Sequence, residues 1–190
     1  MIGPKVPSNY TTSSNTHILG FDDVMARLNA EIEKIKGASL KGLIECAIEI
    51  RRDTEKTPSK TPVDLGNLRA SWFVVTAKGK EKDDQWNTGF RNDTSSKRRK
   101  SGLEGNAARF MADRASAISE MSAKAKSFLP TGKVTLIMGY SANYAVYVHE
   151  NMASGIKWKR PGSGPKWFQE SVFRNSSKIL GIIRKNVVIT

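Results

Sequence analysis

The first half of the chain carries apolar residues at three- and four-residue steps, which is the spacing of one face of an α-helix. Phe21, Leu28 and Ile35 follow this spacing, and it resumes after Gly37. The pattern predicts one long helix over 21–55, with Gly37 as the position at which the helix would kink. This helix is the longest element that the sequence predicts.

The rest of the chain shows shorter patterns of apolar residues, some with the alternation of a β-strand and some with the spacing of an α-helix. Alternating and β-branched positions predict strands over 68–77 and 133–141. An Ala-rich segment predicts a helix over 106–126, and aromatic and aliphatic residues at helical spacing predict a closing helix over 165–187. Segment 143–150 fits either a short helix or a strand.

These elements indicate an α+β fold, with a small antiparallel sheet packed by a long N-terminal helix, a middle helix and a C-terminal helix. Residues 1–18 are rich in Ser, Thr, Asn and Pro and predict a flexible N-terminal arm. Residues 19–190 then form a single domain. Within it, 78–105 is charged and has no period, which predicts a long charged loop or an extended hairpin.

The amino-acid composition limits which classes of partner and which cellular compartment we expect. The 190 residues carry a formal net charge of +13, which favours anionic partners such as nucleic acid or an acidic protein face, although a merely soluble basic protein would share it. No run approaches 18 apolar residues, so we expect no membrane span. Cys46 is the only cysteine, so we expect neither an internal disulfide nor a cysteine metal site, and a reducing compartment.

Catalytic signatures are sparse. His149 and Glu150 are adjacent, but a zinc helix needs a second histidine four residues after the first, and the other histidine is His17 in the arm. The chain has no Gly-x-Ser-x-Gly elbow, phosphate-binding loop or dinucleotide fingerprint. We therefore expect no enzyme, cofactor or metal. A hydrolase centred on His149 remains the competing hypothesis, in which His149→Ala would abolish activity without affecting assembly.

Two basic segments are candidates for contact with a partner. The first is a run of four cations in the predicted loop, which would face DNA or an acidic protein: Lys97, Arg98, Arg99 and Lys100. The second places Trp158 among cations, a composition that suits both base stacking and protein interfaces. Neither matches a sequence-specific DNA- or RNA-binding motif.

Three segments, in this order, resemble a known family. TPVDLGNLRASW (61–72) is similar to a Pro-Val-Asp-Thr-Gly-x-Leu-Arg-x-Ser signature, with Leu65 in place of Thr. VTLIMGYSANYAVYVHEN (134–151) resembles its Val-Gly-x-x-x-x-Tyr-Ala-x-Tyr-Val-Glu partner, and PGSGPKWFQESV (161–172) resembles the closing Pro-Lys-Phe-Leu-x-x-Ala. The set resembles the neck and tail-completion proteins of long-tailed double-stranded DNA bacteriophages, also described as minor capsid or tail-component proteins.

The resemblance implies an α+β virion protein without catalysis, assembled in the host cytoplasm. Such proteins form a ring that joins the DNA-filled head to the tail. Family tail symmetry favours a hexamer, with a dodecamer as the alternative. The implied partners are other copies, head-closure or connector proteins, tail-terminator or tail-tube proteins, and packaged DNA in non-specific contact. The positive charge could face either DNA or an acidic protein ring.

The motif residues also have local roles that follow from their chemistry. Asp64 can accept backbone hydrogen bonds in its turn, and Gly66 can take a positive φ. Arg69 can then pair with a carboxylate such as Asp64 or one on a neighbouring copy. Local structure is the default for these residues, and interface is favoured over core for 150–162. The docking candidates are Asp64, Arg69, Tyr144, Tyr147, His149, Trp158, Lys159 and Arg160.

A second function class stays open at this point. A free nucleic-acid-binding protein without sequence specificity could use 95–100 and 156–160. It would bind tightly as a monomer and lose affinity steeply with salt.

Overall fold

A computed structural model describes residues 21–80 and 107–187. The predicted α+β class is confirmed. The elements in chain order are α1 (Phe21–Lys56), α2 (Asn67–Ala70), β1 (Trp72–Thr76), β2 (Gly79–Lys80), α3 (Ala107–Lys126), a 3-10 turn (Leu129–Thr131), β3 (Leu136–Tyr140), α4 (Ala145–Glu150), α5 (Trp167–Arg174) and α6 (Ser176–Asn186).

Helix α1 is the longest element among the described residues and has two unlike halves. Its 36 residues run unbroken through Gly37 and, at 1.5 Å per residue, span about 54 Å. Every residue from Asp23 to Lys34 is exposed. From Cys46 onward the helix buries a face that includes Ala47 and Ile50. The predicted helix over 21–55 is therefore confirmed, and its second half is the part that holds the fold together.

The sheet is antiparallel in the order β2-β1-β3. Strand β1 is central and buried along its whole length, and it pairs with β3 from Trp72 opposite Tyr140 to Thr76 opposite Leu136. Strand β2 adds two residues on the other side of β1. Because both faces of β1 are covered, its sequence WFVVT reads as a continuous apolar run rather than an alternation.

The strand predicted over 68–77 is wrong at its beginning. Residues 67–70 form the single helical turn α2, which follows Gly66 in the left-handed conformation at φ 94°. Ser71 closes the turn, because its hydroxyl donates a hydrogen bond to the carbonyl of Leu68 at 2.7 Å. Leu68 and Ala70 are buried in this turn, and two buried residues at a spacing of two also match the pattern of a strand.

The C-terminal helix predicted over 165–187 is divided in two. Helix α5 ends at Arg174. The next residue, Asn175, caps it, because its side chain and its backbone N–H both donate to the carbonyl of Ser171, at 2.9 and 3.1 Å. Helix α6 then runs antiparallel to α1. Its Asn186 lies beside Glu45 of α1, at 3.0 Å between Nδ2 and Oε2. Two shorter predictions agree with the structure. Segment 106–126 is helical as α3, and segment 143–150 adopts the helical alternative as α4.

Aromatic rings join the sheet to α5. Tyr140 on β3 makes edge-to-face contacts with Trp72 at 5.2 Å and with Trp167 at 5.8 Å between ring centroids. Phe168 completes the group through contacts with Trp72 and Tyr140. Trp167 is almost completely buried, so α5 is fixed to the sheet by its first residue.

Two predicted features fall outside the described residues. The N-terminal arm, 1–18, is one of them. The other is nearly all of the charged segment 78–105, including its four-cation run at 97–100; its first residues form the turn into β2.

An ion pair between α1 and α5 makes stability depend on pH. Burial works to raise the pKa of the Asp53 carboxyl, but hydrogen bonds from Arg174, Thr57 and Ser171 outweigh it and hold the pKa below its ordinary value. The Arg174 guanidinium lies 2.6 Å from Asp53 Oδ2. A carboxyl with a lowered folded-state pKa stabilises the fold above its unfolded pKa, and this contribution is lost as pH falls through the folded-state value.

We expect Asp53→Asn to lower the free energy of unfolding by about 1 kcal/mol at pH 7. The difference from wild type should shrink as pH falls below about 4, where the unfolded carboxyl becomes protonated, and should vanish as pH falls through the lower folded-state pKa. Urea unfolding at pH 7, 5 and 3 measures this. Asp113→Asn, which removes a long 4.0 Å pair with Arg109, is the matched control. A deficit that stays constant across the three pH values would contradict the linkage.

Candidate partner-docking site

One buried carboxylate lies at the centre of the site. The Glu55 side chain is 1% exposed and meets three arginines, a group that we name the Glu55 cluster: Glu55, Arg51, Arg69 and Arg160. Its Oε1 is 3.0 Å from Arg51 Nη1, and its Oε2 is 2.8 Å from Arg69 Nε and 2.9 Å from Arg160 Nη1. A carboxylate removed from water in this way is stabilised only by such close pairing.

The cluster joins three separate parts of the chain. Arg51 and Glu55 are four residues apart on α1, so they share one face of the helix. Arg69 comes from α2, which the left-handed Gly66 turns toward α1. Arg160 comes from the long loop between α4 and α5. Its guanidinium also donates to the carbonyl of Glu55, in the last turn of α1, and to the carbonyl of Thr61 in the loop that follows.

Arg51 connects the cluster to the aromatic core. Its guanidinium lies over the Trp72 ring at 5.2 Å from the centroid and donates to the Tyr140 hydroxyl at 3.1 Å. It also donates to the Arg69 carbonyl at 2.8 Å. The Tyr140 hydroxyl is in turn 3.0 Å from the Thr61 hydroxyl. The ionic and aromatic groups therefore form one continuous network.

The Pro-Gly-rich bend before α5 is a folding element. Lys60 N donates to the Gly162 carbonyl at 2.8 Å, and the Lys60 carbonyl accepts from Gly164 N at 3.4 Å. Gly162 adopts φ 77°, and a Cβ added at Gly164 would collide with the Ser59 hydroxyl. Glycine is therefore favoured at both positions, because the bend lies against the loop that follows α1.

His149 and Glu150 form a polar clasp, in which the His149 side chain is 17% exposed and the Glu150 side chain is 51% exposed. His149 Nδ1 is 2.7 Å from Glu150 Oε1, and the imidazole ring meets the Trp167 ring edge-to-face at 4.8 Å. Hydrogen bonds from Lys166 and His149 lower the pKa of the Glu150 carboxyl. Lys166 N also donates to the His149 carbonyl at 2.8 Å, so the clasp ties the end of α4 to the start of α5.

An apolar surface lies beside this network. Val146 and Tyr147 on α4 are each 72% exposed, and Met152 just after the helix is 68% exposed. We name these three residues the α4 patch. Tyr144 points the other way, and its ring packs edge-to-face on Phe110 of α3 at 6.0 Å. Helix α4 thus buries one side in the core and leaves apolar side chains in water, an arrangement typical of a protein-binding surface.

The structure assigns different surroundings to the predicted docking residues. Arg69 and Arg160 are in the Glu55 cluster, Asp64 and Lys159 form an ion pair with each other, and Trp158 is half-buried. Tyr144 is in the core and His149 packs on Trp167, whereas Tyr147 is exposed in the α4 patch. Whether any of them touches a partner stays a prediction.

Sequence reasoning missed the centre of the site. Arg51 and Glu55 carry a signal that could have found them, because an Arg and a Glu four residues apart occupy the apolar face of the predicted helix. Val146 and Met152 carried no comparable signal. Their exposure depends on which side of α4 meets the core, and segment 143–150 was open between helix and strand.

Between 21 and 80 and between 107 and 187, no three His, Cys, Asp or Glu side chains are grouped closely enough to hold a metal ion. No helix within the same residues is both long and apolar enough to span a membrane.

Comparison of the chain with protein-family models, with curated proteins and with solved structures gave no match.

We expect Glu55→Gln to lower the free energy of unfolding by about 3–5 kcal/mol, because it leaves the charges of Arg51, Arg69 and Arg160 in a largely buried cluster without their shared carboxylate. Chemical unfolding in urea at pH 7 measures this.

Glu49→Gln is the matched control on the same helix. Glu49 pairs with Arg52 and Lys178, whose side chains are 44% and 57% exposed, so its loss should cost about 1 kcal/mol or less. If both variants lower the free energy of unfolding by the same amount, the Glu55 cluster stabilises the fold no more than an exposed ion pair does.

Proposed function

We propose that the chain is a non-enzymatic structural protein of the neck of a long-tailed bacteriophage. In this role it is a tail-completion or tail-terminator-like subunit, made in the host cytoplasm and incorporated into the virion. Copies form a ring, with a hexamer favoured over a dodecamer, that joins the DNA-filled head to the tail. The ring would contact head-closure or connector proteins on one side and tail-terminator or tail-tube proteins on the other.

The observation that carries this proposal is that the three resembling segments pack as one unit. Thr61 of the first segment meets Tyr140 of the second, with 3.0 Å between the hydroxyl oxygens. Tyr140 meets Trp167 of the third segment, and Lys166 bonds to the His149 carbonyl. Motifs that lie up to about a hundred residues apart along the chain therefore belong to one structural element, which supports treating the resemblance as a single feature.

The form of that unit suits docking. Its interior is an ionic and aromatic network, and its surface presents the α4 patch next to a loop that carries cations. A rigid base with an exposed apolar centre and a polar rim is the arrangement found in protein interfaces. The His149 ring packs on Trp167 and its Nε2 is buried away from solvent, which supports a structural role for it over the hydrolase hypothesis.

The net charge of +13 supports an anionic neighbour in the particle. Cations repeated around a ring would neutralise phosphates of packaged DNA without reading its sequence. An acidic face on the adjacent protein ring would attract the same cations. The proposal includes both packaged DNA and an acidic protein face as the anionic neighbour.

The test is loss of the gene from the phage that encodes the chain. We expect filled heads and complete tails to accumulate unjoined, and an antibody against the chain to label wild-type particles at the junction of head and tail. Electron microscopy of lysates measures both. Normal joined particles without the protein, or its absence from purified wild-type virions, would contradict the neck function.

A free nucleic-acid-binding protein is the second candidate, and the specific observation in its favour is the placement of half-buried Trp158 among exposed cations such as Lys157 and Lys159. Gel shifts with double- and single-stranded DNA at 50 and 200 mM salt distinguish the two functions. The neck proposal predicts weak binding by the monomer. Tight binding that falls about a thousandfold or more over that salt range, and that is lost on alanine substitution of Lys157 and Lys159, would favour the second candidate.

A further inference from the structure

The first half of α1 carries an apolar stripe in water. Val24 and Leu28 are 61% and 51% exposed, and Met25 and Ile32 are each 38% exposed. We name these four residues the α1 stripe. They fall on one side of the helix at three- and four-residue steps, while the residues between them are mainly charged or small.

Among the described residues, the packing against α1 is confined to its second half. Helix α6 runs antiparallel to α1, and its last residue, Asn186, lies beside Gly42 at 3.2 Å from the position of an added Cβ. Helix α5 joins α1 further along, where Ser171 donates to the Ile50 carbonyl. A helical segment of about a dozen residues is only marginally stable in water by itself. The first half of α1 therefore has the form of an element that is completed by association.

The α4 patch lies at the other end of α1. The loop after α4 is tied to the last turn of α1 by the pair of Arg160 with Glu55, and to the next loop by Lys60 with Gly162. Glu55 is 27 residues after Leu28, which corresponds to about 40 Å along a helix. One copy of the chain cannot bring its own two apolar surfaces together across a straight helix of this length.

The two surfaces have opposite charge. Segment 21–36, around the α1 stripe, contains four acidic and three basic residues, although the whole chain is strongly basic. Segment 145–166, around the α4 patch, contains one acidic and four basic residues; Arg160 pairs with Glu55 and Lys166 with Glu150, which leaves Lys157 and Lys159 as the exposed cations. Apolar centres with rims of opposite sign fit each other and repel their own kind.

We propose that the α1 stripe of one copy docks on the α4 patch of the next copy. The contact is heterologous, head to tail, and repeats around a closed ring. This contact would be the subunit interface of the ring described under the proposed function, and the inference rests on that function. A two-fold pairing of α1 with α1 would leave the α4 patch uncovered. It would also give an assembly with two equivalent ends, whereas a neck ring has one side for the head and another for the tail.

The experiment uses three double variants of the full chain. Leu28→Gln/Ile32→Gln removes the α1 stripe and Val146→Gln/Tyr147→Gln removes the α4 patch, in each case at exposed positions where folding does not depend on the side chain. Ala26→Gln/Ala30→Gln is the matched control, because it makes the same kind of change on the opposite, exposed side of α1. Circular dichroism verifies the fold of each variant.

Sedimentation velocity and mass photometry then measure assembly. We expect wild type and the control to form oligomers, and each interface variant to associate at least tenfold more weakly. The decisive sample is a mixture of the two interface variants. Each retains the surface that the other lacks, so the mixture should form 1:1 heterodimers and stop there, because the remaining two surfaces are both defective.

Three results would overturn the inference. Loss of assembly in the stripe variant alone, with no heterodimer in the mixture, would show two-fold α1 pairing. Wild-type assembly in both interface variants would place the ring contact elsewhere, while labelling of the particle neck would still support the function. A wild-type chain that stays monomeric at about 100 μM, where the weakest specific interfaces begin to associate, would show that no second copy covers these surfaces.

Discussion

The fold depends on how one carboxylate is removed from water. Glu55 is buried at the last turn of α1, where an unpaired charge would cost several kcal/mol. Three guanidinium groups from α1, α2 and the loop before α5 offset that cost. Each of these segments must take its native position before the carboxylate is fully paired. The charge therefore fixes the relative positions of parts of the chain that apolar packing alone would hold only loosely.

The aromatic network complements this constraint. Arg51 lies over Trp72 and donates to Tyr140, so the same side chain that pairs with Glu55 also positions two rings of the core. Tyr140 extends the contact to Trp167 at the start of α5. Because few apolar residues are buried in the part of the chain that the structure describes, polar contacts of this kind carry much of the specificity there.

The sequence predicted the elements better than their connections. The long helix over 21–55 and the helix over 106–126 were correct because each has a strong local period. Residues 67–70 and the break at Asn175 were missed, since a single helical turn and an interruption held by one side chain leave no period of their own. Leu68 and Ala70 are buried at a spacing of two residues, and in so short a segment this spacing also matches the pattern of a strand.

The site contains contacts between separate elements that the sequence could not predict. The sequence predicted that Arg69 pairs with a carboxylate such as Asp64, and the structure pairs it with Glu55, which lies 14 residues earlier on another element. That pairing depends on how α2 meets α1, which no local pattern specifies. The predicted docking residues Arg160 and Tyr144 lie in inward-facing contacts, whereas the most exposed apolar side chains include Val146 and Met152, which no motif had marked.

The Glu55 cluster also has a consequence for assembly. It attaches the loop beside the α4 patch to one end of α1, while the α1 stripe lies near the other end of the same helix. When the first half of α1 is helical, the helix geometry sets the distance and angle between the two apolar surfaces. In a head-to-tail ring, that angle sets how many copies close the circle. The ionic cluster would then influence ring closure by holding the loop beside one docking surface against the helix that carries the other.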